Sequence, residues 1–190
     1  MTDVTVGPFE DMDPLARDVP EWSFAQYRAA VGTEIGVSDW HHVTQAEVDA
    51  FAVVTDDRNL IHVSPEKAKA RGLDGTIAHG FYTLSLLAGM NYQVSPMAKG
   101  AVAGLNYGLD KVRFLSPVPV GCRVRGRIGL VDARLKANTL IVTWDAVIEI
   151  EGREIAEGGK PALAAVWLSH IELSPEAAEA ARAEAGAAAG

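Results

Sequence analysis

The chain is nearly devoid of cysteine. Cys122 is alone among 190 residues, so no internal disulfide can form, a composition that fits a reducing compartment. A long hydrophobic run is also missing: the longest apolar stretch, around residues 81–90, is broken by Thr83, Ser85 and Gly89 and falls well short of the roughly 20 residues that cross a bilayer. Basic residues are outnumbered, 17 Lys and Arg against 25 Asp and Glu, for a formal charge of −8. A polyanion needs a concentrated basic field, so nucleic acid is not an expected partner, and any anionic ligand must meet a local basic patch. Residues 1–20 carry acids and prolines but no basic segment followed by an apolar one, so the expectation is a soluble, cytoplasmic protein without a membrane partner.

Several catalytic signatures are missing too. No glycine-rich loop matches a dinucleotide or phosphate-loop pattern, and Ser85 lies in an apolar segment without the glycine-flanked turn of a nucleophile elbow. His41 and His42 are adjacent and lack companions at zinc-ligand spacing, so neither a metal nor a cofactor is expected. Cys122, between Gly121 and Arg123, reads as a buried small residue rather than a reactive thiol.

What is present suffices for one sizeable core, since 48% of the residues are hydrophobic at a length suited to one domain. The expected layout is an N-terminal arm over 1–21, a domain over 22–171 and an Ala- and Glu-rich tail over 172–190, a helix capped by Ser174-Pro175 that frays toward its end. Ser23-Phe24-Ala25-Gln26 has capping-box spacing, with Trp22 and Tyr27 as the staple pair and Gly32 as the stop. The helix so defined has Phe24, Tyr27 and Val31 on one face. Thr44-Gln45-Ala46-Glu47 repeats the box with Val43 and Val48 as staple, predicting a helix to about Val54. The polar cluster Thr55 to Asn59 reads as a turn, Ile61-His62-Val63 as a re-entry into the core, and Ser64-Pro65 as the start of a short helix closed by Gly72. Residues 77–90 are apolar nearly all round, which predicts a helix wrapped on every side.

The period then changes. Leu140, Val142, Trp144, Ala146, Ile148 and Ile150 alternate with polar neighbours over 139–150, a half-buried strand. Arg123, Arg125 and Arg127 alternate with Val124 and Ile128 in the same way; such a row is usually a solvated strand face, with phosphate contact as the other reading. Glu151-Gly152 predicts a hairpin returning through 153–168 as another strand. Residues 101–109 and 111–115 read as two further strand segments. The fold class is therefore α+β, an antiparallel sheet wrapped on one long buried helix.

The chemistry concentrates in Asp57-Arg58-Asn59-Leu60-Ile61-His62 and Gly75-Thr76-Ile77-Ala78-His79-Gly80. Asp57 and His62, across one turn, can face a common pocket and move protons on a shared water. The other reading is that Asp57 caps the turn while His62 is a hydrogen-bonded core residue. Gly80 stands where a helix start offers free N–H groups and a positive dipole end to an oxyanion, or else where tight packing needs a glycine. His79 reads as a side chain holding the loop.

These two motifs, with Phe51-Ala52, Thr55-Asp56-Asp57, Asn59 and Ser85-Leu86, resemble the MaoC-like, or (R)-specific enoyl-CoA hydratase, family and its NodN-like branch. The similarity extends through Ser38-Asp39-Trp40, Asn106-Tyr107-Gly108, Arg113-Phe114 and Pro117-Val118-Pro119. It implies a single hotdog fold and a homodimer that binds an acyl-CoA thioester near the subunit interface. Asp57 and His62 would activate water, the Gly80 N–H would polarise the thioester carbonyl, and Asn59, Thr76 and His79 would lie on the substrate side. The implied reaction is reversible syn hydration of a trans-2-enoyl-CoA. A hotdog acyl-CoA thioesterase and a non-catalytic acyl-binding or partner subunit are the alternatives. Two departures from the family pattern stand out: Leu60 replaces a common proline, and Ala88 replaces a serine that supports the catalytic Asp in some members.

Overall fold

The computed structural model describes residues 19–187. The first half of the chain contains β1 (Glu21–Trp22), α1 (Phe24–Ala29), β2 (Glu34–Val37), β3 (His41–His42), α2 (Gln45–Thr55), α3 (Leu60–Val63), α4 (Pro65–Ala70) and α5 (Gly80–Val94). The second contains β4 (Met97–Ala98), β5 (Ala101–Phe114), β6 (Arg123–Lys136), β7 (Thr139–Ile150), β8 (Leu163–Leu173) and α6 (Pro175–Ala187). A six-stranded sheet runs β2-β6-β7-β8-β5, with β3 also on β6. All its pairings are antiparallel, and β1 and β4 form a separate parallel pair.

Local signals set most of these boundaries. Both capping boxes form, Ser23 with Gln26 and Thr44 with Glu47. The staple pairs close over them: Trp22 meets Tyr27 edge-on at 5.4 Å, and Val43 and Val48 are buried. Asp56 ends α2 in the left-handed region at φ 58°, and this reversal aims the following loop back at α5.

The long helix α5 lies across the concave face of the sheet and packs mainly on β2, β6 and β7. Two glycines let it approach. A Cβ on Gly36 would stand 2.9 Å from the Val94 side chain, and one on Gly126 would stand 2.9 Å from Met90. With the helix seated on that side of the sheet, the β8–β5 side stands off from it, and cavities lined by residues of both α5 and β5 fill the gap. The core beneath α5 is built from Ile128, Leu130, Trp144 and Ile148, the inward set that the alternation on β6 and β7 predicts, with Leu163 of β8 opposite Ile148.

Several expectations need correction. The helix predicted over 77–90 opens at Gly80 and runs to Val94, because Ile77 is set opposite Pro119 in an extended bridge, with Ala78 N–H donating to Val118 O and Val120 N–H to Thr76 O. Nor is α5 wrapped on every side, since Phe81 is 68% exposed. The strand predicted from Arg153 begins only at Leu163. Gly158 adopts φ 81° and Pro161 has no N–H to give a ladder, so this segment folds back over the outer sheet face. There Ile155 N–H donates to the fully buried Glu149 carboxylate at 2.9 Å. The arginine row is correspondingly paired rather than simply solvated: Arg125 and Arg127 both reach Glu149, Arg127 also meets Glu34, and Arg123 pairs with Glu151. The segments 101–109 and 111–115 form one strand, interrupted by register shifts.

At the termini, residues 1–18 of the expected arm lie outside the described residues. Pro20 is already tied to the body, its carbonyl accepting from Met97 N–H at 3.0 Å. The C-terminal helix is docked rather than frayed over its described length, with Ala178 and Ala181 buried and Glu184 accepting from Ala25 N–H at 2.8 Å. Alanine suffices as an anchor here because the small side chain lets α6 come close to α1.

Candidate functional site

Asn59 organises the loop between α2 and α3: its side chain accepts from Ile61 N–H at 3.4 Å and from Arg71 at 3.1 Å. The single turn of α3 that it caps carries His62 inward to 8% exposure. Two bonds splice this turn to the loop before α5. Ile77 N–H donates to Ile61 O at 3.1 Å, and His62 Nδ1 lies 2.7 Å from Ile77 O. A carbonyl can only accept, so Nδ1 carries the proton and Nε2 is left with a free lone pair. His79 is fixed in the opposite sense: its Nε2 donates to Asp57 O at 2.9 Å, leaving Nδ1 buried and unpartnered. The two imidazoles lie against each other with centroids 3.8 Å apart and planes inclined by 31°, and Phe51 backs His79 at 5.1 Å.

Asp57, His62 and His79 thereby bring polar atoms within 4.8 Å of one another. A water at about 2.8 Å from the Asp57 carboxylate and from a histidine lone pair spans such a gap. Two histidines and a carboxylate are also a metal-ligand set. The same three groups can equally hold a water and move its protons.

Gly80 is the first residue of α5, and its N-cap residue, His79, makes no side-chain cap bond. The helix start therefore keeps donors for an anion. The site is also tight, because an added Cβ would stand 3.0 Å from the Phe114 ring and the ring would have to give way.

The expected groups do not share one cavity. Asp57 lines a cavity of 810 Å³ between α5 and β5, with Leu84, Ala88, Tyr107 and Trp167 among its walls. His62 and Gly80 line a smaller one of 250 Å³ with Phe114. Phe81 borders the first and Phe114 the second, their rings 5.8 Å apart, so this aromatic pair stands between the two. Asn59 and Thr76, expected on the substrate side, line neither, and their side chains hold protein groups instead. His79 likewise braces the Asp57 loop. Ala88 faces the cavity that Asp57 lines and offers it no hydrogen-bond donor.

Gln45 was not singled out from the sequence. Its amide donates to His62 O at 2.8 Å and to Asp49 at 2.8 Å, and accepts from the Thr76 hydroxyl at 2.5 Å. One side chain thus ties α2 to both loops of the site. A residue of this kind on a helix has no local spacing signal, since its partners lie 17 and 31 positions away.

A MaoC like domain matches residues 26–150 of the chain. The chain belongs to the MaoC-like family. Nodulation protein N of Rhizobium leguminosarum bv. viciae is 44% identical over 157 residues, covering 82% of this chain and 94% of that protein. The 3-hydroxyacyl-thioester dehydratase Z of Mycobacterium tuberculosis is 47% identical over 131 residues, covering 68% and 86%. Among solved structures, an unliganded (R)-hydratase of Pseudomonas aeruginosa superposes with a TM-score of 0.61 at 18% identity, covering 82% of this chain and 89% of that one. The hotdog fold is shared with it, and the MaoC-like chain keeps the sheet and helix that define that fold.

Two outcomes follow from this geometry. Gln45→Leu strands the His62 carbonyl and the Thr76 hydroxyl, and denaturant melts should show a loss of about 1–3 kcal/mol. Burial, followed by repulsion from His79, lowers the His62 pKa against the opposing pull of its Ile77 bond and of Asp57. In the unfolded chain His62 titrates near 6.5, so acid favours the unfolded state. Its contribution is complete above that value and is lost as pH falls through it toward the lower folded value. Urea midpoints measured from pH 7.5 to 5.5 should therefore fall more steeply in the wild type than in His62→Gln.

Proposed function

We propose that this protein is an (R)-specific enoyl-thioester hydratase, acting equally as a 3-hydroxyacyl-thioester dehydratase, with an acyl-CoA as its substrate. The observation that carries the reading is the convergence of the Asp57 carboxylate and the His62 imidazole, within 4.8 Å, beside a helix start that Gly80 leaves uncapped. The relative named as a 3-hydroxyacyl-thioester dehydratase supports the reaction class.

Both groups accept hydrogen bonds, so a water between them is held by its two protons with its lone pairs turned outward. In the hydration direction the water oxygen bonds to C3 and the C2–C3 π electrons move toward the thioester carbonyl, whose oxygen gains negative charge. The amide at the head of α5 stabilises that charge. The water proton taken up by the dyad is then delivered to C2, the carbonyl re-forms, and the net change is addition of one H2O. Addition of both atoms from the side occupied by the dyad makes it syn. The reaction is acid–base throughout and calls for no redox cofactor.

The second half of the reading is a homodimer. The β5 strand is an edge of the sheet, yet it exposes Val102, Leu105, Tyr107 and Leu109, and a bare apolar edge of this length is a pairing surface. A soluble, cytoplasmic role in acyl-chain metabolism completes the proposal; none of the described helices is long and apolar enough to cross a membrane.

Asp57→Asn and His62→Ala should each lower hydration of crotonyl-CoA by about 10²–10⁴-fold, the usual range for a general acid or base, with circular dichroism unchanged and a 3R product from the wild type. Turnover close to wild type in either variant removes the dyad, and thiol release in place of hydration makes the protein a thioesterase. Sedimentation should give a mass of two chains, and Leu105→Asp should shift it toward one.

A further inference from the structure

One stripe of α5 changes character along its length. Gly80, Leu84, Ala88, Asn91 and Ser95 follow one another at helical spacings of four, four, three and four, which places them on a single face. Leu84 and Ala88 line the 810 Å³ cavity that also holds Asp57. Asn91 and Ser95 line a second cavity, of 530 Å³. The two cavities adjoin, since Asn106 and Trp167 line both.

Asn91 and Ser95 are 5% and 4% exposed, and Asn91 Oδ1 and Ser95 Oγ are buried without a hydrogen-bond partner. Much of the surrounding wall is apolar, with Trp144, Trp167 and Ile171 facing the same space. Trp144 does not serve the orphaned pair, because its Nε1–H donates to Ser169 Oγ at 3.0 Å. Buried polar atoms in an apolar wall are ordinarily satisfied, and a cavity shaped for plain alkyl chain would have no use for them. A side-chain rotation would bring the two groups to the cavity surface, where a partner that donates to one and accepts from the other would satisfy both. A hydroxyl does both, and it does so whichever way the Asn91 amide is turned.

We propose that this distal cavity is a subsite for the far end of the acyl chain and that it favours chains bearing a hydroxyl there over chains ending in plain alkyl. The proposal rests on the hydratase reading and adds a substrate class to it. From the start of α5 at Gly80 to Asn91 is about 16 Å along the helix, so a short enoyl chain held at Gly80 does not reach these residues and a long one does.

The test compares kcat/KM for trans-2-enoyl-CoA substrates of increasing length, each paired with its counterpart carrying a terminal hydroxyl. The wild type should favour the hydroxylated member by about tenfold at the length that reaches the subsite and show no preference at shorter lengths. Asn91→Leu combined with Ser95→Ala should reverse the preference, and Ser95→Ala alone should weaken it, which keeps the test open if the double variant does not fold. Equal or poorer use of the hydroxylated chain by the wild type at every length overturns the proposal, because ordered water then satisfies the two side chains. So does a preference that survives the substitutions. Crotonyl-CoA, too short to reach, reports separately whether the hydration itself occurs. If it does not, calorimetric affinities of the same paired thioesters decide the subsite: tighter binding of the hydroxylated member sustains it, and equal or weaker binding ends it.

Discussion

The site depends on one hydrogen bond, from the His62 ring to the carbonyl of Ile77. It joins the turn after α2 to the loop before α5, and Ile77 N–H returns a bond to Ile61. Because a carbonyl can only accept, this contact also decides which imidazole nitrogen keeps its lone pair. Position and tautomer are set together. The remaining supports are arranged around it: Gln45 holds the His62 carbonyl, Asn59 caps the turn, and His79 leans against the ring while gripping the backbone of Asp57.

Much of this was legible locally. Capping boxes work over three residues, so Ser23, Thr44 and their partners read directly as helix starts, and strict alternation over 139–150 gave a strand with those bounds. A five-residue separation across a turn lets Asp57 and His62 face a common pocket; the structure brings their polar atoms within 4.8 Å of each other but opens them onto different cavities. What sequence could not supply was anything decided by distant partners. The start of α5 moved to Gly80 because Ala78 bonds to Val118, forty positions on. The arginine row looked solvated because Glu149, on the neighbouring strand, read as an outward polar position; only the fold-back of Ile155 shows that it is buried. The family resemblance sets Asn59 and Thr76 toward a ligand, whereas Arg71 and Gln45 engage their side chains.

The sheet and helix are also deliberately unequal in their contact. Glycines at 36 and 126 bring α5 onto one half of the sheet, and the other half is left to enclose space. The same packing decision therefore produces both a dense core around Trp144 and Ile128 and the cavities that run beside α5. In an evenly seated helix that volume would be filled by side chains.

Phe114 has a consequence of a different kind. Its ring abuts Gly80, yet it is the last residue of β5, the unpaired border of the sheet. Whatever zips onto that border constrains the strand, and with it the aromatic stopper in front of the helix amide. Under the proposed dimer and hydratase reading, a change in contacts along that border, far from Asp57, would reach the amide at Gly80 through this one residue.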